Sequence, residues 1–248
     1  GTGLGSRELG GSYENTDFTW SDETDLMDIW RIYVHAKNKY PEAFDQQKLI
    51  GTRERRRVVG DFAIRVTDQL NGRTYPDSIV HASSDFDTHG YTVDPCLLVE
   101  NPARRKVYSY VPYRCLLPKG FDGLLVAGLG MSVHRDAVPL VRMQPDMQNQ
   151  GYAAGTAAAM AVKQSVEPRA IDVKGLQKHL VDIGNLPKSV LTDRDSYPIS
   201  DERLAEAVGA FAEREDGQGA SVLFSDTARA APLVRRAFEA AEDGEAKL

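Results

Sequence analysis

A mixed α/β fold is the class this sequence predicts, and three stretches carry the reading. Residues 123–128, Gly-Leu-Leu-Val-Ala-Gly, are a short apolar run ending in glycine, the pattern of a buried strand that must turn at Gly128. Residues 145–164 lack strand alternation and are crowded with Ala and Gly, which predicts a helix with small residues around much of its circumference. Residues 107–118 are aromatic and β-branched and are stopped by prolines. They read as a strand, a crossing and a turn into the first stretch.

The totals set bounds. The chain has 248 residues, 42% hydrophobic and 27% charged, enough for one large or two modest cores. A formal net charge of −6 gives no reason to expect nucleic acid or an anionic membrane as partner. No apolar run approaches a membrane-spanning length. A soluble protein is expected, with the cytoplasm favoured as its compartment. Cys96 and Cys115 have neither metal-type nor redox spacing and read as ordinary thiols. No His, Asp, Glu or Cys set has a recognised metal spacing. The sequence opens on Gly1 with no visible signal peptide, and that opening does not fix the natural start.

In chain order, residues 7–20 read as an ordered loop docked by Phe18 and Trp20. An amphipathic helix follows, capped by Ser21 or Asp22, with Leu26, Ile29, Trp30, Tyr33 and Val34 on one face and Lys37 and Lys39 at its far end. His35 lies beside that face in a packing or solvent role. Arg53, Arg55, Arg56 and Arg57 form a basic cluster, read from residues alone as a solvated face. Val58, Val59, Phe62, Ile64 and Val66 then suggest a strand, with Gly60 marking a bulge or a close approach. Residues 68–73 form a turn centred on Asn71-Gly72, and residues 78–82 a short strand.

In the stretch 85–90, Asp87 lies two residues from His89, on the same side of an extended chain. A carboxylate can orient an imidazole and raise its pKa, as acid–base work needs, and a plain polar loop is the competing reading. Residues 91–106 read as a loop or hairpin. Beyond Gln164, residues 172–184 form a helix ended by Gly184, and residues 185–199 a connector. Ser200 caps a helix with Leu204, Val208 and Phe211 inward. Residues 221–224 are a short apolar link, and residues 226–241 are helical, with Pro232 starting the second half.

Gly128-Leu129-Gly130 is not a dinucleotide fingerprint. The sixth position is Val133, and Pro139 interrupts any helix that should follow at once. Pro145 suits the first helical position, where a missing N–H costs nothing. The N–H groups after it are unused within the helix, and the dipole favours an electron-rich group there. The backbone is thus able to come close to something flat or anionic.

Ala127-Gly128, Arg142, Met143, Pro145 and Gly151-Tyr152-Ala153-Ala154-Gly155 resemble the carboxyl-terminal flavin-binding segment of the FAD-dependent oxidoreductase family, among the glutathione-reductase-like flavoproteins. Pro112-Tyr113-Arg114-Cys115-Leu116-Leu117-Pro118-Lys119-Gly120 resembles the family's return from substrate domain to FAD domain. The basic run into Val58-Val59-Gly60-Asp61-Phe62 is similar to its entry into the substrate-side sheet, and Asp87-x-His89 to a segment of that domain.

The resemblance implies a partial FAD/NAD(P)-binding-like flavoprotein fold with a mixed β-sheet substrate domain and carboxyl-terminal helices. Its parts would be 1–50, a loop plus amphipathic helix; 51–120, the substrate-side β-rich domain; 121–166, the returning flavin-binding strand, loop and helix; and 167–248, a helical region. FAD is the implied cofactor. Ala127, Gly128 and Leu129 would pass its ribityl and phosphate part, and Arg142, Met143, Gln144, Asp146 and Met147 would lie where the helix start meets the flavin's pyrimidine edge. Leu129 stands where the family carries a polar residue, and Tyr152 replaces a Gln. His134 is the first candidate for proton handling or substrate orientation, and His89 the second.

The resemblance covers residues 7–184 and only the family's carboxyl-terminal half; no Gly-x-Gly-x-x-Gly turn is visible. The implied activity is hydride transfer from an organic substrate to flavin. The partners would be a small-molecule substrate, an amino-terminal FAD-domain segment that a second chain could supply, and a further copy of the chain. The alternative is a non-catalytic scaffold or interaction protein derived from a flavoprotein.

Overall fold

The computed structural model describes residues 26–39, 41–42, 57–86, 92–99, 106–213 and 219–240. Two compact units divide the chain, Gly1–Arg56 with Thr88–Tyr91 and Arg57–Asp87 with Thr92–Leu248. In the first, the described element is helix α1, Leu26–Lys39, with Lys37 and Lys39 in its last turn as the sequence predicts. Trp30 and Val34, read as part of its inward face, are exposed. The loop 7–20, the helix caps Ser21 and Asp22, the basic residues Arg53, Arg55 and Arg56, and the Asp87–His89 pair lie outside the described residues.

The second unit is built on an antiparallel pair, β1, Ser78–Ser84, and β2, Val107–Pro112, with His81 opposite Tyr110 and Ser83 opposite Tyr108. Alternation sends Val80, Ala82 and Val111 into the core and His81, Tyr108 and Tyr110 to the other face. The mixed sheet implied by resemblance is, among the described residues, this antiparallel pair plus isolated bridges, of which Ile64 to Val133 is parallel.

Several expected strands and links take other forms. Residues 58–66 make single bridges, Gly60 to Pro118 and Ile64 to Val133, and then Val66 opens helix α2, Val66–Leu70. The Asp68 carboxylate accepts the Arg65 N–H at 2.8 Å, which caps a helical turn and ends the extended run. The predicted Asn71-Gly72 turn follows, with Gly72 at φ +63°. Gly60 is a close approach, as expected, because a Cβ there would lie 2.7 Å from Ser132 Cβ.

Between β1 and β2 the chain forms helix α3, Pro95–Val99, not only a loop. Asp94 Oδ1 accepts the Cys96 N–H at 2.9 Å and Pro95 pre-sets the first turn. Residues 123–128 are not a laddered strand. Val126 donates to Leu116 O at 2.8 Å, but a strand needs that exchange repeated along a neighbour. Leu125, Val126 and Ala127 are only half-buried.

Helix α4, Gln144–Gln164, forms where the sequence predicts, with Pro145 in its first positions. Its buried stripe of Asp146, Gln150, Ala153, Ala157 and Ala161 lets the backbone approach β1 and helix α5, Val173–Asp182. Ser165 ends α4 in the left-handed region at φ +53°, and Gly184 follows α5 at φ +83°. Leu176 and Leu180 of α5 join a core that runs from Ile64 to Val190.

A smaller core of Ile199, Leu204, Ala207, Val222, Leu223 and Ala230 holds the carboxyl-terminal helices. Helix α6, Asp201–Glu213, is capped as predicted, Ser200 Oγ accepting the Arg203 N–H at 3.2 Å. The apolar link is instead helix α7, Ala220–Ser225, which packs against α2 and α3 and is launched by Gly219 at φ +95°. Helix α8, Thr227–Ala240, runs through Pro232 without division. Phe211, read as inward, lines an open apolar cavity of about 440 Å³ shared with Phe224 and Phe238. Among the described residues no helix is long and apolar enough to cross a membrane.

Candidate functional site

Gly128 sits at φ +76°, a conformation that disfavours side chains, after Ala127 in extended geometry. A Cβ on Gly128 would come within 3.1 Å of Met147 Cε, so turn and helix start already touch. The Gly128 N–H donates to Gln150 Oε1 at 3.1 Å, and Gln150 Nε2 donates to Val141 O at 2.8 Å. Fully buried Gln150 thus ties the glycine turn, the loop after it and α4 together. Gly130 completes the turn: its carbonyl accepts the Val58 N–H at 2.9 Å, and a Cβ on it would meet Val126 Cγ1 at 3.1 Å. Leu129 is half-buried against the main core.

Beyond the turn, the His134 N–H donates to Ile64 O at 2.8 Å while its side chain is exposed. Buried Asp136 anchors this loop, receiving the Val93 and Asp94 N–H groups at 2.6 Å each and pairing with Arg135 at 3.0 Å. Arg142 and Met143 are half-buried, Gln144 and Pro145 exposed, and Met143 O accepts the Met147 N–H at 2.9 Å.

Asp146 differs from its neighbours in α4's first turn. Its carboxylate accepts the backbone N–H of Ser83 on β1, and its Oδ2 is buried without a partner among the described residues. Burial pushes its pKa up to about 6, against the opposing pull of the Ser83 N–H. The structure therefore joins Gly128 to Met147, flanks them with Ala127 and Leu129, leaves Gln144 open, and seats Asp146 against β1. His134 stands on the loop between turn and helix; His89 lies outside the described residues.

Sequence reasoning missed Gln150. Its one signal was spacing: it falls on the buried stripe with Ala153, Ala157 and Ala161, where a lone amide must find partners. Cys96 and Cys115 are buried, and burial pushes the Cys115 thiol up.

These residues suit a flat group laid on the turn and the helix start. The positive-φ glycine brings bare backbone forward, Gln144 and Pro145 are open, and a Cβ on Gly151 or Gly155 would meet nothing within 4 Å. The model of the family described as FAD dependent oxidoreductase matches residues 16–180. The chain belongs to that family. The match takes in β1, β2, the glycine turn, α4 and most of α5, and stops before α6. The FAD-dependent oxidoreductase family binds FAD, and membership points to a flavin-linked redox function. No curated protein and no solved structure matches it.

Proposed function

We propose that this chain forms one wall of an FAD site and part of the substrate chamber of an enzyme that takes a hydride from an organic substrate. The observation that carries the reading is the Gly128 turn, held at φ +76° and bonded to α4 through Gln150, beside a helix start open at Gln144 and Pro145. Backbone of Ala127, Gly128 and Leu129 would lie along the ribityl and phosphate part. Arg142, Met143, Gln144 and Met147 would border the ring's pyrimidine edge, with Asp146, its carboxylate turned to β1, lending backbone alone, where the dipole of α4 favours electron-rich atoms. FAD, when bound, supplies the hydride acceptor.

The chain's own groups would position the substrate and handle its proton. His134, with an exposed side chain and a backbone fixed by Ile64, is the first candidate to hold a proton at the substrate, and His89 the second. Residues 51–120 then form the substrate side, 121–166 the flavin-binding return and 167–248 the helical region. A Gly-x-Gly-x-x-Gly segment, in cis or on a partner chain, would complete the pyrophosphate site.

The test is an FAD titration of the full chain, alone and with such a segment, followed by flavin fluorescence and visible absorbance. Saturable quenching and a structured flavin band are expected. Free-flavin behaviour in both samples overturns the reading.

A further inference from the structure

The helices beyond residue 180, where the family match ends, form a trough that the flavin site does not use. Its cavity measures about 440 Å³, within the range of small-molecule sites. Thr227, Ala231, Val234 and Phe238 line it from α8, at the three- and four-residue spacing of a single helix face. The trough therefore follows the axis of α8 for ~16 Å. In the same lining Ala220 and Leu223 of α7 are buried, whereas Phe211 and Phe224 are exposed, so small residues make the floor and rings the rim.

Arg235 is the one charged residue in this lining, and its exposed side chain makes no ion pair among the described residues. Apart from it and the Thr227 hydroxyl, the lining side chains are apolar. A single cation beside a hydrocarbon channel complements a molecule with one anionic end and an apolar body. A second copy docked by the same face would set trough against trough and leave a void, which packed interfaces avoid. A bilayer is met by a projecting apolar face, and this one is recessed; the net charge of −6 also opposes an anionic surface.

We propose that the trough binds an unbranched aliphatic monocarboxylate of medium chain length. The Arg235 guanidinium holds the carboxylate, and the chain lies along α8 toward Thr227. Between those two residues the helix rises ~12 Å, which limits the chain that can be covered. Burial of each methylene supplies the affinity, and the guanidinium fork, matched to two carboxylate oxygens, supplies the head-group preference. Flavin binding neither requires nor supplies this site, since its lining lies wholly in α6, α7 and α8.

The test is calorimetric titration of the full chain with hexanoate, octanoate, decanoate and tetradecanoate, and with neutral octan-1-ol. Affinity is expected to rise about threefold per methylene as far as decanoate, and to level off by tetradecanoate, whose chain outruns the trough. Octanoate should bind about threefold tighter than octan-1-ol. Arg235→Gln should reverse that order, because the carboxylate is the better hydrated head group. Ala231→Leu fills the trough from an exposed helix position and should weaken decanoate by about tenfold with melting unchanged. No saturable decanoate binding, octan-1-ol bound as tightly as octanoate, or decanoate binding untouched by both variants overturns the proposal. So does a concentration-dependent dimer, or binding to phosphatidylcholine vesicles, that Ala231→Leu abolishes, since either result gives the trough to another occupant.

Discussion

Two junctions in the second unit hold distant segments together, and they do so by opposite means. At the glycine turn, one neutral side chain, Gln150, bridges two backbone groups and leaves the surface beside it open. At the connector before α6, Asp195 grips Arg73 through two bonds of 2.8 and 2.9 Å and Arg114 at 3.4 Å, while Asp68 takes the remaining fork of Arg73 at 3.0 Å. Rings of Phe62, Tyr75 and Tyr197 stack on the Arg73 guanidinium at 4.6 to 5.1 Å. The ionic junction spends its donors on the protein itself. The amide junction fixes backbone shape and keeps the adjoining helix start free, which is what a binding wall requires.

The largest effect should come from breaking the ionic junction. Arg73→Ala leaves Asp68 only Arg65, at 3.7 Å, and Asp195 only Arg114, at 3.4 Å, as cationic partners among the described residues, and is expected to cost about 3 kcal/mol, read by chemical denaturation. That junction is also acid-sensitive. Burial pushes the Asp195 carboxyl up, but bonds from Arg73, the Tyr197 N–H and Arg114 outweigh it and hold the pKa below the usual range. A depressed folded-state pKa gives stability that is present above the unfolded value, about 3.9, and lost as pH falls through the folded one.

Gln150→Leu comes next. It strands the Gly128 N–H and the Val141 carbonyl, at about 2 kcal/mol, and should impair FAD binding beyond its effect on melting. Gly128→Ala should cost about 1 to 2 kcal/mol for the left-handed backbone and push against Met147, again with flavin affinity as the sharper readout.

Asp146 reverses the acid sign. Its folded pKa, raised to about 6, means that its contribution is fully present below the unfolded value and declines as pH rises from about 4 through 6. Asp146→Asn should therefore raise the melting temperature more at pH 7.5 than at pH 5; equal gains at both would refute the assignment. The smallest change is Ser165→Gly, which relieves the left-handed C-cap of α4 and should stabilise by about 0.5 to 1 kcal/mol without touching flavin binding.

Local signals were legible where the sequence itself sets the conformation. Pro145 marked the start of α4, Gly128 its preceding turn, and Gly184 the stop after α5. Residues 78–82 fall within β1 and residues 107–118 contain β2, because β-branched and aromatic residues suit a pleated surface. What escaped depends on partners remote in sequence. The run 123–128 had strand composition, but its Gly123 and Gly128 N–H groups go to the side chains of Glu167 and Gln150 and Val126 alone bonds to Leu116, and α2, α3 and α7 are too short for periodicity to reveal. Gln150 and Asp195 acquire meaning only once residues 9 to 122 positions apart are neighbours. The site residues themselves came through resemblance; the structure adds which of them touch.

A two-stranded ladder has two margins, each able to template the growth of further strands from other molecules. On β1 the amide of Ser83 is occupied by the Asp146 carboxylate, so the first turn of α4 closes one donor of the pair. That contact thereby removes one amide that an added strand would need.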